Sequence, residues 1–167
     1  MNIKSTDLFS QKNYEIKYKP ILIIDHPKNP QNIGSIIRLA ANVNAAKVII
    51  IDQAPSFKDQ MIKKTAASAY KKVEHIFVEP NALHEYLPKD YTLVAIETSQ
   101  SAQNIYESQL PEKIALLVGN ERSGITTSIL EHCSMQVYIP MFGITKSMNV
   151  THALAVSLFE WIRQIHF

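Results

Sequence analysis

The chain predicts an α/β fold with a mainly parallel six-stranded sheet and helices on both faces. Six short runs rich in β-branched residues recur along it. Most are continuously apolar rather than alternating, the pattern of strands buried on both faces. Helix-like stretches fall between them, and strands alternating with helices favour parallel pairing. The 167 residues suit one domain with a single sizeable core.

In chain order, residues 1–19 are polar and read as a short N-terminal extension to a domain over 20–167. PILIID (20–25) is the first strand. Asn29-Pro30 opens a helix over 31–45, because proline in the first turn gives up no needed N–H. KVIIID (47–52) follows, then an amphipathic helix over 57–71. That segment carries Lys58, Lys63, Lys64, Lys71 and Lys72, either a solvated helix face or a footprint for phosphates. VEHIFV (73–78), a helix over 80–87, TLVAIE (92–97) and KIALLVG (113–119) come next. A helix over 123–132, MQVYIP (135–140) and a helix over 149–165 complete the chain. The last helix is apolar almost all round, so it must be buried against the sheet, a second subunit or both.

Composition narrows the classes. The net charge of +2 permits nucleic-acid binding without arguing for it. Cys133 is the one cysteine, which excludes an intrachain disulfide and multi-cysteine metal sites. The N-terminus has no apolar signal core. The longest apolar-rich run carries His152, Glu160 and Arg163, too short and too polar for a bilayer. The expectation is a cytoplasmic protein with no membrane segment and no metal. Charged residues at 19% are few for a small domain, which suggests that another subunit covers part of the surface.

Three stretches carry chemistry. In the first, Gly34 costs about 1 kcal/mol inside a helix, so another backbone or a ligand should approach there. Arg38 stands four residues on. Its fork of donors suits a phosphate or carboxylate, or it pairs with a structural acid or snorkels to water. In the second, LLVGNERSGI (116–125), Gly119 and Gly124 permit an irregular loop whose N–H groups can face a ligand. Ile125 stands where a triphosphate-binding loop needs lysine, and no G-x-G-x-x-G is present, so nucleotide triphosphates and dinucleotides are unsupported. Glu121 either complements a helix N-terminus or orients a cation such as Arg38. In the third, 139–161, a strand exits through Pro140 and Gly143 into Thr145-Lys146-Ser147. Ser147 or Asn149 can cap the helix that follows.

In this order the stretches resemble the SpoU/TrmH family of RNA ribose methyltransferases, of the SPOUT class. Asn32, Gly34 and Arg38 match its N-x-G-x-x-x-R; Gly119, Glu121 and Gly124 match G-x-E-x-x-G. Ile139, Pro140, Met141, Gly143, Ser147, Met148, Asn149, Val150, Thr151 and Ala153 match I-P-M-x-G…S-[LM]-N-V-[ST]-x-A. Thr151 is often serine in the family and Met148 often leucine. The resemblance covers about 20–165.

The resemblance implies a Rossmann-like domain ending in a deep trefoil knot, a homodimer whose active site draws on both subunits, and S-adenosylmethionine as methyl donor to a ribose 2′-OH of RNA. The implied cofactor pocket is formed by Ile96, Glu97, Thr98, Gly119, Asn120, Glu121, Ile139 and Met141, closed by Ser147, Met148 and Asn149. Arg38 is the implied catalytic residue, gripping the phosphate beside the target ribose and stabilising charge on the 2′-oxygen. A guanidinium with a pKa above about 12 is a costly general base. Glu121 and Asn149 would orient it and the hydroxyl, Ser147 counts with them as a catalytic residue needed for cofactor affinity or turnover, and Asn32 would shape the start of the arginine helix. For RNA binding, Arg38, Lys63, Lys64, Lys71 and Lys72 are expected to contact phosphates. Residues 1–19 are too few for an added RNA-binding domain, which favours tRNA over rRNA. The alternatives are a non-catalytic RNA-binding module, an α/β metabolite-binding protein, and a SPOUT enzyme acting on a base.

Overall fold

Strands that are apolar at every position need cover on both faces, and the computed structural model, which describes residues 15–52 and 59–167, provides it. The strands are β1 (Ile21–Asp25), β2 (Lys47–Ile51), β3 (His75–Val78), β4 (Thr92–Ile96), β5 (Gln103–Asn104), β6 (Ile114–Val118) and β7 (Met135–Tyr138). The α-helices are α1 (Pro30–Asn42), α2 (Asp59–Ala66), α3 (Thr127–Leu130) and α4 (Val150–His166), with 3-10 segments at Ala67–Lys71 and Pro80–Tyr86. The strands form one sheet in the order β3-β2-β1-β6-β4-β7-β5, and every neighbouring pair is parallel.

Alternate residues of each strand feed two cores. Leu22, Ile24, Val48, Ile50, Leu116 and Val118 meet Ile33, Ile36 and Ile37 of α1, Ile62 of α2, and Leu154, Leu158 and Trp161 of α4. Ile21, Ile23, Ile49, Ala115 and Leu117 meet Leu83, Ile125 and Ile129 on the other face. The register aligns Ile24 with both Ile50 and Val118, and Ile96 with Val118 and Val137, so the strands end together at one edge. Ligands of open parallel sheets bind at that carboxyl edge.

Among the described residues the sheet has seven strands, not the expected six. The seventh is two-residue β5 at the outer edge beside β7, too short to carry any sequence pattern. The 57–71 helix is divided: α2 ends at Ala66, Ala67 takes a positive φ of 52°, and a 3-10 segment follows. Lys58 lies outside the described residues. The 80–87 helix is 3-10, and the 123–132 helix shrinks to α3 because residues up to Gly124 belong to a tight loop. Among the described residues no helix is long and apolar enough to cross a membrane.

Candidate functional site

Three chain crossings meet at the carboxyl edge of β4, β6 and β7 and border a cavity of about 450 Å³. All eleven residues expected to hold a cofactor line it: Ile96, Glu97 and Thr98 after β4; Gly119, Asn120 and Glu121 after β6; Ile139 and Met141 after β7; and Ser147, Met148 and Asn149 before α4. Val118, Arg122, Tyr138, Lys146, Val150 and Ala153 line it as well.

The loop after β6 is held tightly. Asn120 and Gly124 exchange backbone hydrogen bonds of 2.8 and 2.9 Å, closing a small hairpin. The Asn120 side chain donates to the His26 carbonyl at 2.6 Å and accepts from the Arg122 N–H at 2.8 Å. Glu97 acts as a strut from β4: its Oε2 accepts from the Ile125 N–H at 3.0 Å, and its Oε1 from the Thr98 N–H at 2.9 Å. Gly124 has φ +70°, and a Cβ there would come within 2.5 Å of Glu97 Oε2. Buried Asp25, at the end of β1, accepts from the Thr126 N–H at 2.7 Å and is bonded to His26 Nδ1 at 2.5 Å.

The three motifs are joined through buried Asn32. Its Nδ2 donates to Glu121 Oε1 at 2.5 Å, and Glu121 Oε2 accepts from the Lys28 N–H at 3.1 Å. Asn32 Oδ1 accepts from Asn149 Nδ2 and from Thr151 Oγ1, both at 3.3 Å. Asn149 also caps α4, accepting from the Thr151 N–H at 2.8 Å, so the capping and the site roles coexist in one side chain. Asn32 is placed by a conventional helix start: Asn29 caps α1 by accepting from the Gln31 N–H at 2.9 Å, with Pro30 first in the helix.

Arg38 is elsewhere. It lies on the exposed face of α1 and is not among the cavity-lining residues. Six residues beyond Asn32 places it about 9 Å farther along the helix axis. Among the described residues it makes no hydrogen bond or ion pair. Of the two approaches expected at Gly34, another backbone is the one that the structure shows. A Cβ there would sit 2.7 Å from the Ile62 carbonyl oxygen and 2.6 Å from Thr65 Cβ, so α2 is what approaches. The lysines do not converge on the cavity. Lys63 is paired with Asp59 and lies 5.1 Å from the Tyr70 ring centre; Lys64 is exposed. Lys71 and Lys72 precede β3, at the opposite edge of the sheet, where Lys72 and Lys19 border a second cavity of about 330 Å³. Among the described residues no three His, Cys, Asp or Glu side chains are grouped to hold a metal.

Sequence reasoning missed the anchoring roles of Glu97, Asp25 and Thr151. Asp25 carried a readable signal, as a carboxylate ending a wholly apolar strand. Glu97 carried none, since the loop that it braces, at Ile125, lies 28 residues away.

The model of the SpoU rRNA Methylase family matches residues 19–159. The 23S rRNA (guanosine-2′-O-)-methyltransferase RlmB of Neisseria meningitidis serogroup B is 33% identical over 145 residues, 86% of this chain and 58% of that protein. The tRNA (guanosine(18)-2′-O)-methyltransferase TARBP1 of Mus musculus is 30% identical over 139 residues, 81% of this chain and 9% of that protein. The SpoU methyltransferase AviRb from Streptomyces viridochromogenes, solved in complex with AdoMet, is 24% identical and superposes with a TM-score of 0.79, covering 91% of this chain and 59% of its own. The chain therefore spans less than two thirds of the length of these relatives.

Proposed function

This chain belongs to the SpoU rRNA Methylase family, and we propose that it methylates a ribose 2′-OH of RNA with S-adenosylmethionine as donor. SpoU methyltransferases use that cofactor, which supplies an activated methyl group on a sulfonium. The observation that carries the reading is the Glu121–Asn32–Asn149 chain, which draws three distant motifs onto one cavity. The cavity fits the group: its size suits a small-molecule cofactor, and Ile96, Val118, Ile139 and Met148 offer apolar walls to an adenine. Glu97 and Glu121 place carboxylates beside a cationic ligand. Residues 20–167 are taken as the catalytic domain.

Among the described residues no acid or carbonyl takes the donors of Arg38, which leaves them for a ligand. The role of Arg38 is to grip the phosphate next to the target ribose and to stabilise negative charge as the 2′-hydroxyl loses its proton. Because it is exposed and distant from its own cavity, it serves the cavity of a second copy in a homodimer. The outward face of α4 supports that assembly: Phe159 is 54% exposed, with His152 and Arg163 also exposed beside it. A C-terminal trefoil knot belongs to the same reading. It is supported by the way α4 clasps residues 108–111: Trp161 Nε1 donates to the Pro111 carbonyl at 2.8 Å, and Gln164 bonds Ser108 and Leu110.

For substrate we favour tRNA, with Lys64, Lys71 and Lys72 meeting phosphates of a folded RNA large enough to reach past the cavity. Ribosomal RNA is the second reading, favoured by the 33% identity to an rRNA enzyme. The test is calorimetry with S-adenosylmethionine, then transfer of labelled methyl to bulk tRNA and to rRNA fragments. Arg38→Ala is expected to lower transfer at least a hundredfold with cofactor affinity unchanged. Absence of cofactor binding refutes the reading; label in rRNA alone reassigns the substrate. Light scattering should show a dimer at micromolar concentration.

A further inference from the structure

We propose that residues 142–146 form a nucleobase subsite at the mouth of the cavity, where Phe142 stacks on an unpaired base of the RNA substrate and Lys146 holds an adjacent phosphate. The inference rests on the RNA methyl-transfer reading and adds recognition of the target nucleotide to it. Phe142 is 96% exposed and Ile144 is 100% exposed. Isolated apolar residues at a surface are ordinary. These two, however, flank one glycine in a loop tethered to the cavity at both ends, because Met141 before them and Lys146 and Ser147 after them line it. At Gly143 an added Cβ would meet nothing within 4 Å, and among the described glycines Gly124 alone has a positive φ. The fold does not require a glycine at 143; the backbone there is open to an approaching chain.

The chemistry of the mouth is that of single-stranded RNA binding. An aromatic face takes the face of any base, and cations beside it take the phosphates. Lys146 supplies one cation and Arg122, from the opposite loop, another. Covalent connectivity supplies the occupant. A 2′-OH that enters this cavity carries its own base on the same ribose, so each turnover brings a base to this mouth. A base in a duplex is stacked on its neighbours, so the subsite selects nucleotides of loops or single strands.

The experiment compares the full-length protein with Phe142→Ala and Phe142→Trp. Affinity for a fluorescein-labelled single-stranded RNA oligonucleotide is read by anisotropy, KM and kcat for bulk tRNA and rRNA fragments by labelled methyl transfer, and cofactor affinity by calorimetry. Phe142→Ala is expected to weaken RNA binding and raise KM roughly tenfold, the effect of losing one stacked base. Cofactor affinity should stay unchanged, and Phe142→Trp should restore RNA affinity. Equal RNA affinity in Phe142→Ala and the unaltered protein overturns the proposal, as does Phe142→Trp behaving like the alanine variant. A shift from dimer to monomer in Phe142→Ala also overturns it, by assigning the ring to a contact between copies. If the unaltered protein methylates no RNA, the proposed function fails, and the anisotropy comparison still decides the subsite.

Discussion

Residues 119–124 and residues 140–149 border the same cavity with opposite construction. The first loop is closed by the Asn120–Gly124 hairpin, pinned to His26 by the Asn120 side chain and braced by Glu97. The second holds Phe142 and Ile144 in solvent, and Lys146 reaches back only to the Gly143 carbonyl at 3.0 Å. The first spends its polar groups on itself, which fixes backbone N–H and C=O groups in place before a ligand arrives. The second leaves groups uncommitted, which suits the side where a large, variable molecule enters. Asn32 couples them, bonding Glu121 of one and Asn149 of the other.

The contrast can be broken from the tight side first. Gly119→Ala places a Cβ 2.6 Å from the Gly124 carbonyl oxygen and closer still to the Gly124 and Ile125 backbone. Opening the hairpin to accommodate it should cost about 4 kcal/mol and lower Tm by roughly 10 °C in a calorimetric melt. A change under about 2 °C would mean that the loop is looser than described. Asn120→Ala removes the bonds to His26 and Arg122 and should cost about 2 kcal/mol by denaturant titration, with an unchanged slope.

Cys133 sharpens the comparison as a reporter that lies outside the cavity. It follows α3, its Sγ donating to the Ile129 carbonyl at 3.5 Å, and burial pushes its thiol up to about 12. The folded state therefore keeps the proton that the unfolded chain loses near 9, so this contribution to stability is intact below that pH and is lost as pH rises towards 12. At pH 8 iodoacetamide should modify the native protein slowly. Gly124→Ala should speed that modification several-fold by loosening the segment that leads into α3, and Gly143→Ala should not alter it. The smallest effect is expected on the open side. Gly143→Ala should change stability by no more than about 0.5 kcal/mol, since its Cβ has free space and no left-handed backbone to strain. A loss above about 1 kcal/mol would show that the loop is packed after all.

Legibility followed the range of the interaction. The glycine pair at 119 and 124 announced an irregular loop, and Asn149 announced a cap, because both signals lie within a few residues. Gly34 announced a close approach, yet α2, rather than a ligand, supplies it, and nothing within the segment distinguishes the two. The strut from Glu97, the partners of Thr151 and the two-residue β5 had no local pattern to read.

What the amino-acid sequence determined by itself is the set of elements and the inventory of polar residues at the strand ends, since apolar periodicity and capping act between near neighbours. The parallel register that aligns the ends of β1, β4, β6 and β7 was decided only in the tertiary structure. So were the meeting of Asn32 with Glu121 and Asn149, 89 and 117 residues away, and the placement of Arg38 outside its own cavity. Those contacts exist because two helical layers and one sheet must bury their apolar faces together, and that packing sets which distant side chains come within hydrogen-bonding distance.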